Sequence, residues 1–232
     1  MQKQDIKIRS SGEGKDFDCY IVTPDTTGKV PAIVLASAVH GVDGDVRNIA
    51  DAFAAQGYIC AAPDLFWRTV PGPLTRSDDR TKTRSQPRLP VIKAGEADMV
   101  DTLNQLKTMP LFNGKAVAMG FCYGGPYAII GPKRLGYAGG VSCHGTQLGD
   151  YAHEFEGTTA PISIIWGELD HAAPPAVQAT YRALPVTHKN VDVHIVPGVL
   201  HGYMMRDSVK AFHQQTYDFS MGRALAILGG LR

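Results

Sequence analysis

The sequence predicts an α/β fold, a mostly parallel central sheet of about eight strands flanked by helices. Two observations predict it. Short apolar runs bounded by Gly, Pro or Asp recur along the 232 residues, the signature of strands buried on both faces. Those runs alternate with segments of helical periodicity, which requires crossover connections and helices on both sides of the sheet. A chain of this length with such alternation is expected to form one domain, residues 1–232.

The elements follow in order. Residues 5–9 and 16–23 read as two early strands forming an antiparallel edge, and 31–36 as a buried strand. A helix is expected over 44–56, with Asp43 or Asp45 as N-cap and Val46, Ile49, Ala50 and Phe53 on one face. The next strand is 58–63. A helix over 92–107 turns Val100, Leu103 and Leu106 inward. Strand 115–121 leads into a helix with Pro126 in its first turn and Pro132 ending it early. Strands 138–142, 161–166 and 191–196, helix 174–184, and a long helix from Ser208 to about Leu228 complete the pattern.

Residues 65–90 are too long for an ordinary connection. They carry Arg68, Arg76, Arg80, Lys82, Arg84 and Arg88 against Asp78 and Asp79, and four prolines. The segment follows a strand's carboxyl end, where α/β sheets build their sites. It reads either as a solvated basic loop or as a lid that donates a cation to an anionic substrate.

The net charge of +1 offers no global field for nucleic acid or an anionic membrane. The first residues are polar, with no apolar signal region, and no run reaches the roughly 18 apolar residues of a membrane helix. Four cysteines, Cys19, Cys60, Cys122 and Cys143, in such a chain suggest free thiols and a reducing, cytoplasmic compartment. No histidine or cysteine spacing resembles a zinc site, and no cofactor motif is present, so neither metal nor cofactor is expected. The oligomeric state is not encoded legibly.

Cys122 carries the chemistry. The apolar run 116–119 ends in Gly120-Phe121-Cys122-Tyr123-Gly124-Gly125. A strand that turns sharply through glycines into a helix is the nucleophile elbow of α/β-hydrolases, with cysteine in the usual place of serine. The turn exposes the side chain at a helix N-terminus, whose dipole favours a thiolate. Asp170 follows strand 161–166, and His201 follows strand 191–196, giving the order nucleophile, acid, base. Cys122 is thus the expected nucleophile, His201 the base and Asp170 its orienter. One oxyanion donor should be the backbone of Tyr123, and a second should come from the loop after strand 31–36. Cys143 and Ser142 lack the glycine context of a second elbow. His171 lies in the acid's own turn, where packing is the simpler role, and His194 lies within a strand.

Taken with Pro63-Asp64-Leu65-Phe66, the Asp170-His171 turn and His201-Gly202-Tyr203-Met204-Met205-Arg206, the elbow makes the chain resemble the dienelactone hydrolases from Tyr20 to about Leu228. The resemblance implies a carboxymethylenebutenolidase-like hydrolase of aromatic degradation, cleaving a small carboxylate-bearing ester or lactone through a thioacyl-enzyme. It assigns the second oxyanion donor to Val39. It implies two substrate-binding arginines: Arg206 matches one, and the other falls near Arg80 to Arg84, where Arg84 and Lys82 both fit. It also marks a departure, because the family's glutamate that holds the resting cysteine is Ala38 here. Tyr203, His144, Trp67 and His40 are candidate pocket walls. The competing readings are a broader carboxylesterase or thioesterase on the same scaffold, a ligand sensor without turnover, and a redox-sensing thiol.

Overall fold

The structure is a computed structural model that describes residues 1–232. Eight strands form one sheet: β1 (Gln2–Arg9), β2 (Asp16–Thr23), β3 (Val30–Ala36), β4 (Ile59–Pro63), β5 (Phe112–Phe121), β6 (Gly139–Cys143), β7 (Ile162–Gly167) and β8 (Val191–Val196). Their order is β1-β2-β4-β3-β5-β6-β7-β8. β2 runs antiparallel to both β1 and β4, and β3 to β8 pair in parallel with their neighbours. This is the α/β-hydrolase architecture expected from the alternation.

Helices cover both faces. On one lie α1 (Gly44–Ala55) and α6 (Gln214–Gly229), burying Val46, Ile49, Ala50 and Phe53 together with Met221, Ala224, Ile227 and Leu228. On the other lie α3 (Arg88–Lys107), α4 (Tyr127–Arg134) and α5 (Pro175–Thr187), burying Met99, Leu103, Leu106, Ile129, Ile130 and Tyr181. The short α2 (Arg80–Arg84) sits within the 65–90 excursion. No helix is long and apolar enough to cross a membrane.

Asp43, not Asp45, caps α1, accepting from Val46 N at 3.1 Å. Two helix starts differ from the sequence pattern. α3 begins at Arg88 rather than 92, because extended Pro87 caps it and Pro90 falls in the first turn, where a missing N–H is harmless. α6 begins at Gln214 rather than Ser208. Residues 208–212 close instead into turns on Ser208 O, and His213 caps the helix by accepting from Thr216 N. Val100 is half-buried, and Asp98 lies within α3's buried face.

Pro132 does not end α4, which continues to Arg134. Its missing N–H leaves Ala128 O without the usual helix donor. That carbonyl faces β6, where a Cβ on Gly140 would sit 1.7 Å from it. Only glycine allows β6 to approach so closely. Gly140→Ala is therefore expected to destabilise the protein by about 3 kcal/mol or more. Gly222→Ala, on an α6 position with nothing within 4 Å of the new Cβ, should stabilise it by about 0.5–1 kcal/mol. Thermal unfolding of the two variants should move in opposite directions; equal shifts would contradict this packing.

Candidate active site

Parallel register brings the strand ends together. Ala36 of β3 pairs with Gly120 of β5, Phe121 with Cys143 of β6, and Gly167 of β7 with Val196 of β8. The loops that follow therefore emerge side by side: 37–43 after β3, Cys122 after β5, His144 after β6, Asp170 after β7 and His201 after β8. Strand order reverses at β3, the switch point where α/β sheets open a crevice.

Cys122 has φ +50°, a strained left-handed conformation for a non-glycine residue. The strain is held by backbone packing. A Cβ on Gly120 would lie 2.1 Å from Gly124 O, one on Gly124 2.2 Å from Ala36 O, and one on Gly125 2.4 Å from the Cα of Gly145. Cys122 O accepts from Gly125 N and Thr146 N, each at 3.0 Å. The thiol-bearing residue is half-buried, whereas Cys19, Cys60 and Cys143 are fully buried and free. Burial pushes the Cys143 thiol up to about 12, which leaves it a weak nucleophile.

His201 Nδ1 donates to both oxygens of Asp170, at 2.8 and 3.0 Å. Asp170 is 3 % exposed and also accepts from Ala172 N at 2.8 Å. The two loops are stitched together. Leu169 N donates to Val199 O at 3.0 Å, and a Cβ on Gly167 would lie 2.0 Å from that same oxygen. On its other side His201 meets Cys122. Burial drives the imidazolium down, but the bond to Asp170, the carboxylate's charge and the adjacent Cys122 sulfur outweigh it, raising His201 to about 10.

Two further histidines flank His201. His144 is fully buried, at φ +41°, with its ring centroid 4.9 Å from that of His201 and 5.2 Å from that of Tyr203, each pair in an edge-on arrangement. Burial, then the charge of His201, holds its pKa well below the usual value, so the ring is neutral. His171 is exposed, its ring centroid 4.9 Å from that of His201 on the solvent side. Tyr203 is fully buried, its hydroxyl 3.0 Å from Ser220 Oγ. It supports His144 from behind rather than lining an open pocket.

Val39 is half-buried, and its N–H meets no protein acceptor. Ala38 stands beside it, 5 % exposed. Arg206 is exposed, stacks over Phe212 at 4.8 Å and Tyr217 at 5.0 Å, and pairs with no carboxylate.

The expectation for the second cation needs correction. Arg84 is fully buried. It donates to Val70 O, to Gly72 O at 2.8 Å and to Val39 O at 3.4 Å, and lies over Phe66. Its two Nη groups serve backbone carbonyls, so it pins the excursion instead of facing a ligand. Lys82 stands in solvent, paired with Asp79 at 3.1 Å. Trp67 donates to Asp98 at 3.1 Å and stacks on Phe17 under Arg68, in the α3 layer. His40 is held by Arg76 at 2.6 Å. The residue that sequence reasoning passed over is Arg88. It donates to Thr146 O at 2.9 Å and Tyr123 O at 3.5 Å and lies 4.5 Å above the Tyr123 ring. The early start of α3 delivers it there, and only the Pro87 signal could have shown this. No group of three or more His, Cys, Asp or Glu side chains is arranged to hold a metal ion.

The dienelactone hydrolase family model matches residues 17–225. The chain belongs to that family. It is similar to carboxymethylenebutenolidase 1 of Cupriavidus pinatubonensis, 24 % identical and covering 100 % of this chain and 99 % of that one. Carboxymethylenebutenolidase of Pseudomonas putida is 27 % identical over 177 residues, 75 % of this chain and 74 % of that one. A solved dienelactone hydrolase-like promiscuous phosphotriesterase from metagenomic libraries shares the fold, with a TM-score of 0.80, 14 % identity, and coverage of 100 % and 99 %. This member of the dienelactone hydrolase family is a carboxymethylenebutenolidase-like hydrolase.

The raised His201 gives a pH prediction. A group whose folded pKa exceeds its unfolded value stabilises the fold fully below the unfolded value, near 6.5. That contribution fades as pH rises through about 10. Asp170→Asn removes the main partner. The gap in melting temperature between wild type and Asp170→Asn should be large at pH 6.5 and shrink towards pH 10. A gap that does not change with pH would show that the two side chains do not share this charge.

Proposed function

We propose that this hydrolase cleaves a small ester or lactone by covalent catalysis, with Cys122 as nucleophile, His201 as acid–base and Asp170 as its orienter. The observation that carries the reading is one chain of contacts: Asp170 bonded to His201 Nδ1, and the opposite side of that ring facing the strained Cys122. An imidazolium beside sulfur favours a thiolate. The thiolate adds to the ester carbonyl, forming the C–S bond and moving an electron pair onto oxygen. The backbone N–H groups of Tyr123 and Val39 receive that oxyanion. Its collapse expels the alkoxide, which takes the proton from His201; in a lactone the released hydroxyl stays on the same molecule. Water then attacks the thioester while His201 accepts its proton; collapse breaks the C–S bond, returns the Cys122 thiolate beside the imidazolium, and frees the acid as carboxylate with its proton released to solvent. With Ala38 in place of the family's glutamate, the thiol has His201 as its resting partner. Four free cysteines suit a reducing, cytoplasmic setting.

A second reading, a broader carboxylesterase acting on neutral esters, is favoured by the charge pairing of the excursion. Arg68 pairs with Asp98, Arg76 with Asp43 and Asp45, Arg80 with Asp78 and Lys82 with Asp79, while Arg84 and Arg88 hold carbonyls. Arg206 remains the unpaired cation nearest the base in sequence.

Two experiments separate these readings. Cys122→Ala should lower p-nitrophenyl ester turnover by about a thousandfold or more, and iodoacetamide should inactivate the wild type with one label on Cys122. Full activity in the variant would refute the mechanism. Arg206→Ala should lower kcat/KM about ten- to a hundredfold on a carboxylate-bearing lactone, with little change on a neutral ester. Equal losses on both would make Arg206 structural, and no loss on either would favour the general esterase.

A further inference from the structure

The loop that carries Val39 is held from outside, and every anchor comes from the 65–90 excursion. Gly41 N donates to Ala38 O at 2.9 Å, so residues 38–41 form a tight turn with Val39 and His40 at its tip. Leu74 N donates to His40 O at 2.8 Å. Arg76 Nη1 lies 2.6 Å from His40 Nδ1. The other arm of that guanidinium reaches Asp45 at 2.8 Å and Asp43 at 3.1 Å. Arg84 adds a long bond, 3.4 Å, to Val39 O. Gly41, at φ +79°, lets the 70–74 turn press in, since a Cβ there would lie 2.9 Å from Gly72 O.

The chemistry of the Arg76–His40 contact is one-directional. A guanidinium only donates, so Nδ1 must be the acceptor and the ring must be neutral with its proton on Nε2. Burial, then the charges of Arg76 and Arg84, lowers His40 to about 4, so neutral pH preserves this state. Arg76 itself is anchored at the N-terminus of α1 by Asp43, the helix cap, and Asp45. The contact thus ties the tip of the turn to the first turn of a core helix through one rigid planar group. An unbonded N–H one residue from such a fixed point is a preorganised donor, and oxyanion stabilisation depends on that kind of fixed placement.

We propose that Arg76 and His40 are positioning residues that latch the oxyanion-hole loop, fixing the Val39 N–H for the developing oxyanion. The proposal rests on the covalent mechanism given above. In it the excursion is a brace for the catalytic backbone, and Arg76 acts on Val39 through His40.

The test exploits a difference between two reactions of the same sulfur. Alkylation of Cys122 by iodoacetamide makes no oxyanion, whereas acyl transfer does. Arg76→Met should lower the burst-phase acylation rate constant with p-nitrophenyl acetate by about ten- to a hundredfold, short of the loss of a whole oxyanion donor. The substrate dissociation constant from the same titration, and the iodoacetamide rate, should stay within about twofold. Affinity for a trifluoromethyl ketone, whose hemithioketal with Cys122 bears an oxyanion, should fall by the same factor as acylation. His40→Phe should reproduce the loss, and His40→Gln, which offers an amide oxygen to Arg76, should restore most of the activity. The double variant Arg76→Met/His40→Phe should be no worse than either single change, because both break one contact. The His40 variants leave the Arg76–Asp43 and Arg76–Asp45 pairs intact, so they decide the matter even if Arg76→Met folds poorly. Unchanged acylation in His40→Phe, parallel loss of alkylation and acylation, or additive effects in the double variant would each overturn the latch. Esterase activity that survives Cys122→Ala would instead remove the nucleophile reading, and the latch with it.

Discussion

The site depends on one close approach of backbone to backbone. The elbow at Cys122 exists because Gly120, Gly124 and Gly125 let three peptide segments pass where any side chain would collide. That packing supplies the energy that keeps Cys122 in a left-handed conformation, a strain of order 1–3 kcal/mol. It also fixes where β3 ends relative to β5, and so where the 37–43 loop stands relative to the sulfur. Relaxing the elbow would leave the histidine and the aspartate intact with nothing to serve.

The order of the strands and the sequence of the elbow made much of this legible beforehand. Five of the proposed site positions, Cys122, Tyr123, Val39, Asp170 and His201, follow strand ends, and strand ends are marked by a change from an apolar run to Gly, Pro or Asp. Parallel register then gathers strand ends without further information. What was not legible lies in contacts between segments far apart in sequence. The periodicity of 92–107 is real, but the start of α3 is set by Pro87 and so moves Arg88 onto the elbow. Arg84 looked like a ligand-binding cation because its type and placement allow it. Only the fold shows that the carbonyls of Val70 and Gly72 already occupy its donors. Lys82, two residues earlier in the same α2, lies on the opposite face of the helix from buried Arg84 and ends in solvent.

Charge is distributed with the same economy. The excursion carries six cations; four fasten it to the α1 N-terminus, to Asp98 and to bare carbonyls, and Arg80 and Lys82 pair with its own Asp78 and Asp79. Behind His201, a neutral His144 backed by Tyr203 fills the space that a carboxylate or a water channel could have taken. A proton on His201 therefore has two places to go, the sulfur side or the solvent side where His171 stands, and none inward.

The stitch between the acid and base loops has a mechanical meaning. Gly167 lies against Val199 O, and Leu169 N is bonded to it, so the ends of β7 and β8 form a single plate carrying both Asp170 and His201. Cys122 and Val39 ride on a different plate, the β3–β5 pair. Flexing of the sheet thus leaves the acid–base distance unchanged and alters only the gap between imidazole and thiol. That seam is where sheet twist becomes a variable distance between the His201 ring and the Cys122 sulfur.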